Sequence, residues 1–224
     1  MKLNAKGILI AAVAAVVVGP VNAPVADAQV SSKGGGYQFR LGYKKGQVMK
    51  YTVVTKASMP NSKEPMTFNM PMTMKVVDVQ GDTFTIETTT EVSMPGGKPQ
   101  TQKQTVKMDR MGNAKDGQTV MTGTNLPKDP VKVGGSWTAK AAAQGMNANA
   151  KYTLKGFKKV GGRDAAELVM TVTGTGSMKM SGSGTMFLDR ADCSLLSMAM
   201  TMKMPSPDGK SPAMNMSMTM TRKQ

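Results

Sequence analysis

The sequence predicts an all-β protein with little helix, made of two related antiparallel β-units that form a curved open barrel or sandwich. Three observations carry this. Apolar and polar residues alternate with a period of two through most of the chain after residue 36. Turn residues break the alternation, among them "QGD" at Gln80 to Asp82 and "GGRD" at Gly161 to Asp164. The layout also repeats: Gly81 to Asp109 and Gly161 to Asp189 are both 28-residue intervals, closing on "MDR" and "LDR".

The amino-terminal segment reads as an address. Lys2 and Lys6 precede the apolar run "GILIAAVAAVVV", Gly19-Pro20 breaks it, and "ADA" at Ala26 to Ala28 fits a small-x-small cleavage site. Residues 1–28 are therefore expected to be a signal peptide, and the protein to be exported to a periplasmic or extracellular space. A retained anchor is the alternative, but the run is short for a bilayer span. No other segment is apolar enough to cross, so an integral membrane protein is not expected.

Residues 29–36, with "SSKGGG", are expected to be a flexible lead. The first β-unit is placed at 37–125 and the second at 126–224, packed together as one domain. In the first, "QVMKYTVVTKASM", "MTFNMPMTMKVVDV", "TFTIETTTEV" and "KQTVKMDRMGNAKDG" each read as a strand. "MPGGKP" at 94–99 is a turn, and Pro71 inside a strand pattern predicts an edge or a bulge. In the second, "VKVGGSWT", "AKYTLKGFKKV" and "AAELVMTVTGTGSMKM" lead to a hairpin around Asp189 to Cys193. The Ala-rich stretch from Ala139 to Tyr152 predicts a short helix or a loop. If the units are copies, Asp109 and Asp189 occupy equivalent corners when 43–115 is laid on 132–195.

The chain closes on "SMAMTMKMPSPDGKSPAMNMSMTMTRKQ". Met198, Met200, Met202 and Met204 must share one face of a strand, and Met214, Met216, Met218 and Met220 one face of the next. With "PSPDGKSP" as the hairpin connection, eight thioethers form one stripe, with Thr201, Lys203, Ser217 and Thr219 on the wet side. Met70, Met72 and Met74 repeat the pattern earlier. After the leader the chain holds 23 Met against 13 Leu, Ile and Phe together, so methionine has become the large apolar residue.

Three uses compete for these side chains. They can be the ordinary apolar face of a sheet. They can line an adaptable cavity, since Met is unbranched and polarizable and repacks around variable apolar ligands. They can bind Cu(I), which soft thioethers select, although neighbours at i and i+2 stand about 7 Å apart on a strand, so one ion must gather Met from adjacent strands. Scavenging of oxidants through reversible sulfoxide formation follows from the same chemistry. The candidate ligand-binding residues are Met70, Met72, Met74, Met198, Met200, Met202, Met214, Met216 and Met218.

Charge and composition bound the partners. Without the leader, 27 basic and 13 acidic residues leave +14, and only five of the basic residues are Arg. Lysine is a hydrated point charge suited to anionic membrane surfaces or cell-envelope polymers. Aromatics make up 4% and do not interleave with the basic residues, which argues against nucleic acid. Cys193 is the single cysteine, so no intrachain disulfide forms and packing alone must hold the fold.

Catalytic signatures are missing. Without His there is no Ser-His-Asp or Cys-His arrangement and no His-ligated zinc. "DGKS" at Asp208 to Ser211 lacks the earlier glycine of a phosphate loop, with Met204 in its place. "GGSWT" is not a nucleophile elbow. Glu87 and Glu91 share a strand face about 13 Å apart, too wide for a glycosidase pair. No enzyme activity, catalytic residue, metal site or cofactor is expected.

Three stretches carry a resemblance: "FRLGYKKGQVMKYTV", "LPKDPVKVGGSWT" at Leu126 to Thr138, and "YTLKGFKKVGGRDAAEL" at Tyr152 to Leu168. They resemble a family of exported bacterial β-proteins of unassigned reaction, with a Tyr-x-x-Gly opening strand and a Pro-Val-x-Val-Gly-x-x-Trp element, here Pro130, Val131, Val133, Gly134 and Trp137. The layout is also similar to the lipoprotein-carrier open β-barrels, half-barrels with an apolar concave face. This resemblance implies an exported β-protein and, by analogy, a carrier. The chain departs from carriers in its methionines and in lacking lid helices. The expected function is binding of a hydrophobic or amphiphilic envelope ligand, with Cu(I) binding or a purely structural role as alternatives.

Overall fold

The computed structural model describes residues 29–58, 64–92, 99–115, 125–143, 146–175, 180–205 and 213–223. Among them there is no helix. A hairpin, β1 (Val30–Lys33) and β2 (Gly36–Phe39), is followed by ten strands of one antiparallel sheet: β3 (Val48–Ser58), β4 (Met66–Gln80), β5 (Thr83–Val92), β6 (Gln100–Asp109), β7 (Ser136–Ala143), β8 (Met146–Val160), β9 (Arg163–Thr175), β10 (Ser181–Asp189), β11 (Leu195–Met204) and β12 (Met214–Arg222).

The spatial order is β6-β5-β4-β3-β12-β11-β10-β9-β8-β7. Both four-strand meanders, β3 to β6 and β7 to β10, run in the same sense, and β11 and β12 return to pair with β3. The sheet is continuous but does not close, because β6 and β7 remain its edges. The boundary drawn at residue 125 falls in the connection from one edge to the other. Two-residue turns at Gly81-Asp82 and Gly161-Gly162 carry positive φ at Gly81 and Gly161, as tight hairpins require.

The corners at Asp109 and Asp189 are built alike. In each, one carboxylate oxygen accepts the backbone N–H two residues on, from Met111 at 2.8 Å and from Ala191 at 3.0 Å. In each, the Asp N–H closes the loop, to the Asn113 carbonyl in the first and to the Ser194 carbonyl in the second. Such Asx geometry is why aspartate recurs at that place.

Two expectations need correction. Residues 29–36 are not a flexible lead: Val30 is fully buried and the hairpin turns through Gly34 and Gly35, both at positive φ. The Ala-rich stretch is not helix but the β7–β8 hairpin, with Ala139 opposite Ala150. Helix propensity lost there to cross-strand pairing, since Ala139, Ala148 and Ala150 all bury against the sheet. Pro71, opposite Thr52 and away from the β4 bulge near Val76/Asp78, lies on a stretch of β4 paired with β3 alone, a local edge of the kind its sequence context predicts. The β4–β5 ladder begins only at Met72↔Thr90, so the missing donor of Pro71 lies beyond it. The connections "MPGGKP" (apart from Pro99) and "PSPDGKSP" (apart from Pro205) lie outside the described residues.

One end of the sheet is plugged. Val30 N–H donates to Arg190 O at 3.1 Å, Leu41 N–H to Arg110 O at 2.7 Å, Gly42 N–H to Asp192 O at 3.0 Å, and Tyr37 exchanges two bonds with Val131. Residues 29–43 thus tie the corner after β6 to the approach to β7 and cross between the two edges. Phe39, Leu41, Leu154, Leu168 and Leu188 pack beneath, each essentially sealed from solvent. Burial of one such side chain is worth about 1.5–3 kcal/mol, which offsets the lack of a disulfide.

Candidate ligand-binding face

The methionine pattern becomes geometry through register. Met198 stands opposite Met220, Met200 opposite Met218, Met202 opposite Met216 and Met204 opposite Met214. Cβ atoms of such partners are about 4.5–5.5 Å apart, so the eight thioethers form one double row. Thr201, Lys203 and Thr219 are exposed on the other face and Ser217 half-buried.

The row is flanked by small residues. On the β10 side Met200 faces Gly184 and Met202 faces Gly182. On the β3 side Met218 faces Thr55 and Met216 faces Ala57. A side chain at Gly184 would run into the Ala199 carbonyl oxygen and come within 2.9 Å of Met200 Cα. The β11 backbone crowds the methionine side of β10 there, and glycine permits the close approach. Sequence reading passed over these glycines, although "SGSGT" inside a strand run is the signal for such a close approach.

Burial along this face is graded. Next to the plug, Met198 is 8% exposed and Met220 3%, in one cross-strand row with Leu168, Met186, Val53 and Met70. Toward the far end, Met200, Met202, Met204, Met214, Met216 and Met218 are half-buried on the same strands. Met72 and Met74 differ from their expected role: opposite Tyr51 and Met49, they belong to the sealed core. Met70 is half-buried. β3 lies between these three and the double row, yet Met72, Met74 and Met198 share one core cluster against which Met70, Met200 and Met218 pack, while Met202, Met214 and Met216 lie beyond it on the same face.

A cavity of about 220 Å³ opens on this face between β3 and β6, lined by Val53, Met70, Met72 and Val106 with Thr88, Thr90, Gln102 and Gln104 among its polar residues. It is below the range of about 300–1,000 Å³ typical of small-molecule clefts, so it has room for a tail end or branch.

The ionisable groups near the plug are silenced by burial. Tyr43, packed 5.5 Å from Phe84, has its phenol pushed well up by desolvation. Tyr51 donates to Leu195 O at 3.1 Å and is likewise raised by desolvation. Burial pushes the Cys193 thiol up to about 12, which makes it a poor nucleophile. Among the described residues no group of three or more His, Cys, Asp or Glu could hold a metal. Glu91 is exposed and Glu87 half-buried opposite Lys75. Among the described residues no helix is long and apolar enough to cross a membrane.

No protein-family model matches this chain, and no curated protein matches it. Among solved structures it is similar to a candidate AttH protein from Nitrosomonas europaea, with 13% identity over 85% of this chain and 74% of that one, at a TM-score of 0.22. It is also similar to a candidate outer-membrane lipoprotein-sorting protein domain from Vibrio parahaemolyticus, with 12% identity over 79% of this chain and 83% of that one, at a TM-score of 0.20. Scores this low fall short of a shared fold, and the function of the face rests on its own geometry.

Proposed function

We propose that this chain is an exported, non-enzymatic protein whose curved methionine face binds a hydrophobic or amphiphilic ligand. The observation that carries the reading is the graded burial of one continuous face. The same two strands seal their methionines at the plugged end and leave six of them half-open at the other. The small neighbours Gly182, Gly184, Thr55 and Ala57 set no bulky side chain beside those thioethers. A soft floor of that kind accommodates apolar shapes that differ in detail. The leader-like residues 1–28 support export.

An apolar fluorophore titrated into the folded protein tests this. Saturable binding is expected, weakened in Met200→Lys, which places an ammonium on the floor. A folded protein without saturable binding would leave the sheet as a structural element only.

The register also favours a second reading, Cu(I) held by cross-strand pairs such as Met200/Met218 and Met202/Met216. Any such site rests on sulfur alone, since the chain has no His. Competition for Cu(I) against a chelator separates the two: copper binding lost when these Met become Leu, with fluorophore binding retained, would put metal first.

A further inference from the structure

The face opposite the methionines carries its own pattern, independent of the reading above. Lys56, Ser217, Thr201, Ser183, Thr171 and Lys151 are consecutive cross-strand partners on β3, β12, β11, β10, β9 and β8. Five steps at the strand spacing make a track about 24 Å long, running across the strands. All six point away from the methionine side, and all but the half-buried Ser217 are exposed. Lys203 and Lys140 lie two residues further along their strands on the same face.

The track is concave where it crosses β3, β12, β11 and β10. A groove of about 660 Å³ lies there, with Lys56 and Lys203 as its cations and Ser58, Asn215, Ser217 and Thr201 among its hydroxyl and amide groups. No carboxylate lines it. The nearest acidic residue along the chain is Glu64, beside the lining residue Pro65. Across β3 and β7 to β12 the carboxylates are Asp164, Glu167 and Asp189, and all three lie toward the plugged end. Two of them are neutralised by Lys159 and Arg163, and Glu167 by Lys158. Charge is therefore sorted along these strands, leaving the far half of their outer face cationic.

We infer that this outer groove and track bind a segment of an acidic polysaccharide. Ammonium groups match its anionic substituents, and Ser, Thr and Asn side chains can both donate to and accept from sugar hydroxyls. A linear track suits a chain. Met202 and Met216 also border the groove, but by register they belong to the opposite face, so a bilayer would meet side chains on this face that are polar apart from Pro65. A nucleic acid would find no aromatic in the lining on which to stack bases.

The test uses dextran sulfate as probe, with neutral dextran and anionic phosphatidylglycerol vesicles as comparison arms, at physiological salt. The double variant K56Q/K203Q is set against K75Q/K107Q, which removes equal charge from β4 and β6. Circular dichroism checks that both fold, and K56R/K203R keeps the charge. The expected result is dextran sulfate binding that neutral dextran does not share, reduced at least about tenfold in K56Q/K203Q, little changed in K75Q/K107Q and retained in K56R/K203R. Equal loss in the two Gln doubles would mean attraction by net charge alone and overturn the assignment. So would absence of binding, or vesicles binding with the stronger dependence on Lys56 and Lys203.

Discussion

Truncating one methionine at each end of the same face measures whether the far end is open. Met220 is 3% exposed and sits between Val53 on β3 and Met198 on β11. Met220→Ala removes a sealed side chain from a place that cannot collapse freely, which costs about 2–5 kcal/mol. Met202 lies on the same sheet face, but it is half-buried, opposite Met216 and beside Gly182. Much of its side chain already meets water, so Met202→Ala should cost under about 1 kcal/mol. Urea unfolding reads the difference. With a slope of about 2 kcal/mol per molar, Met220→Ala lowers the midpoint by about 1–2.5 M and Met202→Ala by less than about 0.5 M. Equal shifts would show that the far half of the face is as dry as the near half, and the ligand surface argued above would not exist.

Gly184→Ala should destabilise by about 1–3 kcal/mol, because the added carbon meets the Ala199 carbonyl and the Met200 backbone; an unchanged melting temperature would contradict the close approach at β10. Asp189→Ala should cost more than Asp109→Ala, since the Asp189 side chain is nearly sealed and bound by Arg163 at 2.6 Å whereas Asp109 is half-exposed; thermal melts of the two variants check the order. Alkali should unfold the protein. Cys193, Tyr43 and Tyr51 keep protons that the unfolded chain releases from ordinary values of 9.0 and 10.0, so their contribution is whole below about pH 9 and is lost as pH rises above it. A melting temperature that stays flat from pH 8 to pH 11.5 would refute this.

Strand periodicity was legible because side chains alternate whatever the strand pairs with. The Met198 to Met204 face, its partner Met214 to Met220, the wet Thr201 and Lys203, and the turns at Gly81 and Gly161 all follow from that local rule. The repeated Asp corner was legible too, because aspartate bonding its own backbone is a property of a few adjacent residues. Ala139 to Tyr152 misled for the complementary reason. Its composition favours helix, and only pairing with β9 on one side of β8 and β7 on the other made it sheet.

What tertiary structure decided is which part of each strand is sealed. Met198 and Met202 are the same residue, two turns of the pleat apart, yet one is core and the other half-open. That difference comes from residues 29–43, more than 150 positions away, folding over one end of the sheet. Likewise β12 pairs with β3 and so brings Ser217 beside Lys56, a neighbourhood no local pattern contains. Alternation along a chain is set by backbone stereochemistry within a few residues. The register between distant strands and the cover over their ends are set by the packing of the whole chain, and they distinguish a sealed methionine from a half-open one.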